Sequence, residues 1–383
     1  MSLILIPIGL FLIGVALYDG FESMVLPRRI TRALRPARIY YRVAWNVWAV
    51  LLTRVPAKQR NNFLGVFGPL SLLGLFATWV LSLIIGFALV QRALSPKLAG
   101  GDEGHGFLDY LYLSGETFFT LGYGDVTPAQ SIGRAFAVIE AGTGFGFMAV
   151  IIGYLPVLYQ AFSARERTIA LLDARAGSPP TASECLKRLA QNEQLANLDR
   201  HLDEWERWAA DLLESHLSFP VLSYYRSQHD NQSWLAALAV VLDTSAVLLA
   251  IGDRKSKFGA QMTYAMGRHV SVDLSLVFGL PPSPADAERV TTEELNPLLE
   301  LLVPASTAAE RSAMQTRLAE LRSFYEPFLV SLSKQFLLPL PRFVPGKATV
   351  DNWQTSAWTR RAPGIGKLAD FDENASKEDQ RFV

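Results

Sequence analysis

Thr120-Leu121-Gly122-Tyr123-Gly124-Asp125 is a six-residue stretch with two glycines, and it lies where the chain has to turn back on itself. Residues 109 to 119, just before it, read as a short helix. On either side are apolar runs of membrane length, residues 63 to about 90 and 132 to 162. A bilayer core needs roughly 20 helical residues to cross, and the short helix is too short by about half. The chain therefore enters and leaves on the same side. Lipid offers no hydrogen bonds, so irregular backbone at that depth must line a cavity or lie in protein. The stretch reads as a re-entrant loop.

The residue types suggest what such a loop can do. A dehydrated cation needs oxygen ligands in place of its water shell. The carbonyls of Thr120, Leu121, Gly122 and Tyr123, with the Thr120 hydroxyl, supply them if all point to one axis. Aligning successive carbonyls needs conformations that L-residues resist, and Gly122 and Gly124 tolerate positive φ. Tyr123 is expected to point away from the axis and brace the loop. Asp125 is expected to place negative charge at the outer mouth.

From about residue 63 to 162 the chain resembles the potassium channel family, specifically its two-span pore module. The filter is the specific signal. Leu121 stands where valine is commoner, and only its carbonyl is required. Tyr110, Tyr112, Phe118 and Phe119 occupy a pore helix where many relatives have tryptophans. The resemblance implies K+ as the transported ion, held at Thr120, Leu121, Gly122 and Tyr123, with no organic cofactor. It also implies a homotetramer, because this chain has one filter and four strands surround an ion. Glu116 matches a pore-helix acid that pairs with Asp125 in some relatives. Two such carboxyls would share a proton; the alternative is a Glu116 facing external water. Gly144, ten residues after Arg134, matches the gating hinge. Phe145, Met148 and Ile152 would face an apolar cavity.

Glu140 is an ionisable residue inside the last span, and such residues face protein or water rather than lipid. It is expected behind the filter, against the pore helix near Thr117, with plain polar packing as the alternative. Gly142 and Gly146 suit close helix contact as well as bending. Pro156 should kink or open the helix.

The first apolar run, residues 3 to 17, has no basic segment before it and extends through residues 18 to 25. Arg28, Arg29, Arg32, Arg35, Arg38 and Arg42 follow with no acid between them, which places that end in the cytosol and the N-terminus outside. Asp19 and Glu22 are then expected at the cytosolic interface. Residues 38 to 60 mix Tyr40, Tyr41, Trp45 and Trp48 with arginines and read as an interfacial helix. A membrane-dipping hairpin is the alternative. Trp79, in the middle of its span, is not explained by an aromatic belt. The arginines at 28 to 42 lack the three-residue spacing, within an apolar span, of a voltage sensor.

Beyond residue 162 the composition changes. Residues 176 to 181 read as a linker and residues 183 to 216 as a charged amphipathic helix. Residues 233 to 251 are strongly apolar around Asp243. A fourth span is conceivable there, but a central Asp is costly in lipid, so a buried helix in a soluble domain is preferred. No G-x-G-x-x-G, zinc spacing or P-loop occurs after residue 162. His229, Asp230, Asn231 and Ser233 read as capping the helix at Trp234, and His269 beside Arg268 as a surface residue.

The chain has 36 basic and 36 acidic residues, so it lacks the basic excess of a nucleic-acid binder. Cys185, its one cysteine, is read as a structural helix residue. The expected organisation is an all-α membrane protein. It comprises an N-terminal span (1–27), an interfacial helix (28–61), a pore module (62–162), a linker (163–182), a helical cytosolic domain (183–360) and a disordered tail (361–383). The expected function is passive K+ conduction in the plasma membrane, with lipid and further copies of the chain as partners and an unknown cytosolic ligand. No catalytic constellation is visible. The alternatives are a weakly selective cation channel and a membrane-anchored sensor with a non-conducting pore.

Overall fold

The computed structural model describes residues 2–26, 35–95, 97–100, 106–177, 179–191, 198–228, 232–252, 257–285 and 288–345. The expected tail and Arg28, Arg29, Arg32, His229, Asp230 and Asn231 lie outside the described residues. The chain divides into two compact units, 1–161 and 162–383.

The first unit is helical. It comprises α1 (Ser2–Met24), α2 (Pro36–Leu52), α3 (Ala57–Leu94), a short α4 (Phe107–Phe118) and the start of α5 (Ser131–Ala176). Two short strands, β1 (Leu98–Ala99) and β2 (Thr127–Pro128), pair antiparallel on either side of α4. By length and composition α1, α3 and α5 can each cross a membrane. α1 runs antiparallel to α3. Gly9 meets Gly86, where a side chain on either would crowd the other helix, and further along Trp79 donates its indole N–H to Asp19 at 2.8 Å. Small residues let membrane helices approach closely.

Asp19 is therefore buried between helices rather than set at an interface, and it is also the partner that a mid-span Trp79 requires. Glu22 lies 3.6 Å from Arg35. α2 packs along the first turns of α3. The Tyr40 hydroxyl donates to the Ser71 carbonyl at 2.9 Å, and Trp45 stands edge-on to Phe67 at 4.8 Å. Its other face exposes Ile39, Val43, Val47 and Val50 beside Arg42.

Several boundaries differ from expectation. The interfacial helix ends at Leu52, and residues 57 to 62 already belong to α3. α5 does not end near residue 162; it continues to Ala176, so most of the expected linker is helix. Polar residues outside a membrane still propagate a helix, and the stop comes at Gly177, with φ +89°. Pro156 lies inside α5 without ending it.

The second unit holds the end of α5 followed by α6 (Ala182–Gln191), α7 (Leu198–Ser218), α8 (Trp234–Ile251), α9 (Lys257–Phe278), α10 (Thr292–Leu302), α11 (Ala308–Ser323) and α12 (Glu326–Phe336). α11 and α12 are separated by a break at Phe324 and Tyr325. α8 is apolar enough to cross a membrane, yet every residue from Trp234 to Leu248 is buried inside this unit. Asp243 takes the Tyr325 hydroxyl at 2.6 Å and an ion pair from Arg289. A buried carboxylate is tolerable when answered this way. Ser233 caps α8 by accepting from the Ala236 amide at 3.0 Å. Cys185 is fully buried on α6, and burial pushes its thiol up to about 12, away from reactivity. His269 is a surface residue of α9, 3.8 Å from Asp273.

Candidate pore-loop site

α4 ends where the loop begins, and the way it ends sets the geometry of the loop. The Leu121 amide donates to the Glu116 carbonyl at 2.8 Å and the Thr120 amide to the Thr117 carbonyl at 3.1 Å. This pairing closes a helix with a left-handed residue, usually glycine, just past its end. Here that residue is Thr120, at φ +56°. Gly122 and Gly124 come next, at φ +64° and +77°. The two glycines adopt the positive φ expected of them, and Thr120 adds a third such position that the sequence pattern does not reveal.

The loop is anchored from behind. Tyr110 and Leu113 on α4 pack with Ala88, Leu98 and Val126, and the Tyr110 hydroxyl donates to the Ser95 carbonyl at 2.9 Å. Just after the loop, β2 pairs with β1, Arg134 Nε donates to the Pro128 carbonyl at 3.2 Å, and Gln91 donates to the Gly133 carbonyl at 3.0 Å. Gly100, at φ +83°, packs against the Asp125 carbonyl where a side chain would collide.

No hydrogen bond joins Asp125 to Glu116 within the chain, although the two carboxyls lie close enough to act on each other. Both Asp125 carboxylate oxygens accept from the Tyr112 hydroxyl at 3.1 Å. Glu116 is buried and faces the Tyr123 backbone amide, and its Oε2 has no hydrogen bond among the described residues. Sequence reasoning places Tyr112 among the pore-helix aromatics without pairing it with Asp125. The signal is there, since it lies one turn before Glu116 on the same helix. The Tyr123 side chain is 74 % exposed, so its own chain does not supply the expected brace. Leu121 and Phe119 are likewise more than half exposed.

Glu140 is fully buried against α4, but its contact is Ser114 rather than Thr117. The Ser114 hydroxyl also reaches the Ile84 carbonyl at 2.7 Å, so this one side chain joins α3, α4 and α5. Gly144 packs on the Phe118 carbonyl so closely that a Cβ would collide with it. Gly142 and Gly146 meet nothing within 4 Å in the chain. Phe145, Ile152 and Pro156 are exposed and Met148 is half-buried, while Phe147, Ile151 and Leu158 form the buried face of α5.

Two membrane-length helices around a short pore helix and a glycine-bearing re-entrant loop define an ion-channel module in a membrane protein. The comparisons agree: the ion channel family model matches residues 74–160, and the chain belongs to that family. Protein LctB of Bacillus caldotenax is 38 % identical over 117 residues, covering 28 % of this chain and 79 % of that protein. Protein LctB of Geobacillus stearothermophilus is 39 % identical over 95 residues, covering 21 % and 70 %. The membrane protein YdjJ of Bacillus subtilis is 25 % identical over 191 residues, covering 49 % and 55 %. No solved structure matches the chain.

Proposed function

We propose that this ion channel is K+-selective, acts as a homotetramer in the plasma membrane, and conducts passively under control of its C-terminal unit. The observation that carries the reading is the backbone of residues 120 to 124, with positive φ at Thr120, Gly122 and Gly124. Such alternation is what turns successive carbonyls toward one side, where a dehydrated K+ takes them in place of water. The C-terminal end of α4 opens onto the start of this segment, and its partial negative charge favours a cation there.

The large exposed side chains Leu121, Tyr123, Phe145 and Ile152 support assembly around a common axis. In that arrangement Tyr123 finds its brace on a neighbouring copy. Glu140, through Ser114, steadies α4 from behind. The N-terminus lies outside and the second unit in the cytosol, in keeping with the arginines that come after α1. The second unit acts through α5, which continues into it.

Full-length protein in liposomes, recorded with K+ on one side and Na+ on the other, tests this. The reversal potential should lie near the K+ equilibrium value, and chemical crosslinking should stop at four chains. Gly122→Ala, which forces a side chain onto a φ of +64°, should abolish the current. A reversal near zero would instead mean a weakly selective cation channel, and no current at all a membrane-anchored sensor.

A further inference from the structure

α1 contributes nothing to the pore loop, yet its buried carboxylate reaches the pore-lining helix in two steps. Asp19 is 1 % exposed and accepts the Trp79 indole N–H at 2.8 Å. The Trp79 ring stands edge-on to Phe147 of α5, with centroids 6.1 Å apart and planes at 88°. Gly20, next to Asp19, brings the α1 backbone to the same ring; a Cβ there would lie 3.0 Å from Phe147. Further along, Phe76 of α3 stands edge-on to Tyr154 of α5 at 6.1 Å. Toward α2, the Ala37 amide and Arg35 both face the Asp19 carboxylate, and Arg35 donates to Ser23 at 3.0 Å. One carboxylate thus touches or faces α2 and α3, and through Trp79 it bears on α5.

An ionisable group inside a span is costly unless it is answered and used. α1 and α3 also meet away from it, at Gly9 and Gly86. What the carboxylate adds is direction. A hydrogen bond to the indole N–H fixes the plane of the Trp79 ring, and the ring plane decides whether it meets Phe147 by its edge. Phe147 lies on the buried face of α5, between Phe145 and Met148, the residues assigned to the cavity. Movement of α5 against α3 must break the Trp79–Phe147 contact or carry the indole away from Asp19.

We propose that Asp19 is a positioning residue for the gate of this pore, acting through Trp79 on Phe147. The proposal rests on the reading of the chain as a conducting channel. Contacts bias a gate only when they differ between its two states, and this chain of contacts spans the surface along which α5 would move.

The test uses full-length protein in planar bilayers. Asp19→Leu removes the acceptor, Trp79→Phe keeps a ring but removes the donor, and Asp19→Asn keeps an acceptor. Asp19→Leu and Trp79→Phe should each shift the open–closed ratio about tenfold in the same direction, the worth of one buried hydrogen bond. The double variant should shift it no further, and Asp19→Asn should stay near wild type. Reversal potential and unit conductance should not change. In parallel, the Trp79 indole resonance is followed by NMR in nanodiscs and should move in Asp19→Leu. An unchanged open–closed ratio, or shifts in the double variant that simply add, overturns the proposal and leaves the channel standing. A wild-type protein that passes no ions while the indole resonance still responds overturns the channel reading and the gating role together. If Asp19→Leu does not assemble, Trp79→Phe and Asp19→Asn alone decide: an unshifted ratio in Trp79→Phe refutes the link.

Discussion

Thr120 is the residue at which the end of α4 and the start of the loop meet. A β-branched side chain at φ +56° costs about 1–2 kcal/mol relative to an ordinary conformation. A glycine would relieve it but would remove the hydroxyl, and on the proposed reading that hydroxyl is what an ion takes at this end of the loop. At the far end of the loop Tyr112 holds Asp125 by a hydrogen bond. Tyr112→Phe should leave the reversal potential unchanged and make the current decay faster during sustained opening. Recordings at fixed K+ check this, and an unchanged decay would mean that Asp125 is held by another chain.

At the scale of elements, the lengths of α3 and α5 were only partly legible. Apolar runs mark where a helix is in lipid, but helices of 38 and 46 residues are about 57 and 69 Å long, well beyond a bilayer core of about 30 Å. The extra turns are polar and look like loop in a hydropathy reading. The glycines of α5 were visible, but their division of labour was not. Gly144 closes on the Phe118 carbonyl at the end of α4, whereas Gly142 and Gly146 are open within the chain. Gly144→Ala should cost about 1–3 kcal/mol by overpacking and disturb conduction, while Gly142→Ala should not crowd its own chain. Thermal unfolding of the two variants, with currents recorded beside it, distinguishes these positions.

At the scale of the whole molecule, the two units use apolar helices in opposite ways. α1, α3 and α5 leave much of their apolar surface exposed, whereas α8 is enclosed by its own unit and has its Asp243 answered there. The second unit also buries a histidine. His216 donates from Nδ1 to the Leu212 carbonyl at 2.8 Å, which leaves Nε2 to accept from Arg165 at 3.3 Å. Burial, with the Arg165 cation beside it, holds its pKa well below the ordinary 6.5. The unfolded chain therefore takes up this proton first. Stability from His216 is fully present above about pH 6.5 and falls as the pH drops toward the depressed folded value. The second unit should unfold at a lower temperature at pH 5 than at pH 7.5. In His216→Gln, which cannot titrate, that difference should shrink; calorimetry on the full-length protein measures both.

The sequence by itself determined that the chain crosses membranes, that a re-entrant loop lies between two spans, and that this loop has the glycines to turn its carbonyls one way. Those features follow from hydropathy, length and φ tolerance, which are local properties of the chain. The tertiary structure alone decided the partners of the carboxylates. Asp19 belongs to Trp79, Glu140 to Ser114, Asp125 to Tyr112 and Asp243 to Arg289 and Tyr325. A carboxylate taken out of water must be answered by a donor. Which donor answers it depends on how helices far apart in the chain come to lie against one another, and no local pattern carries that information.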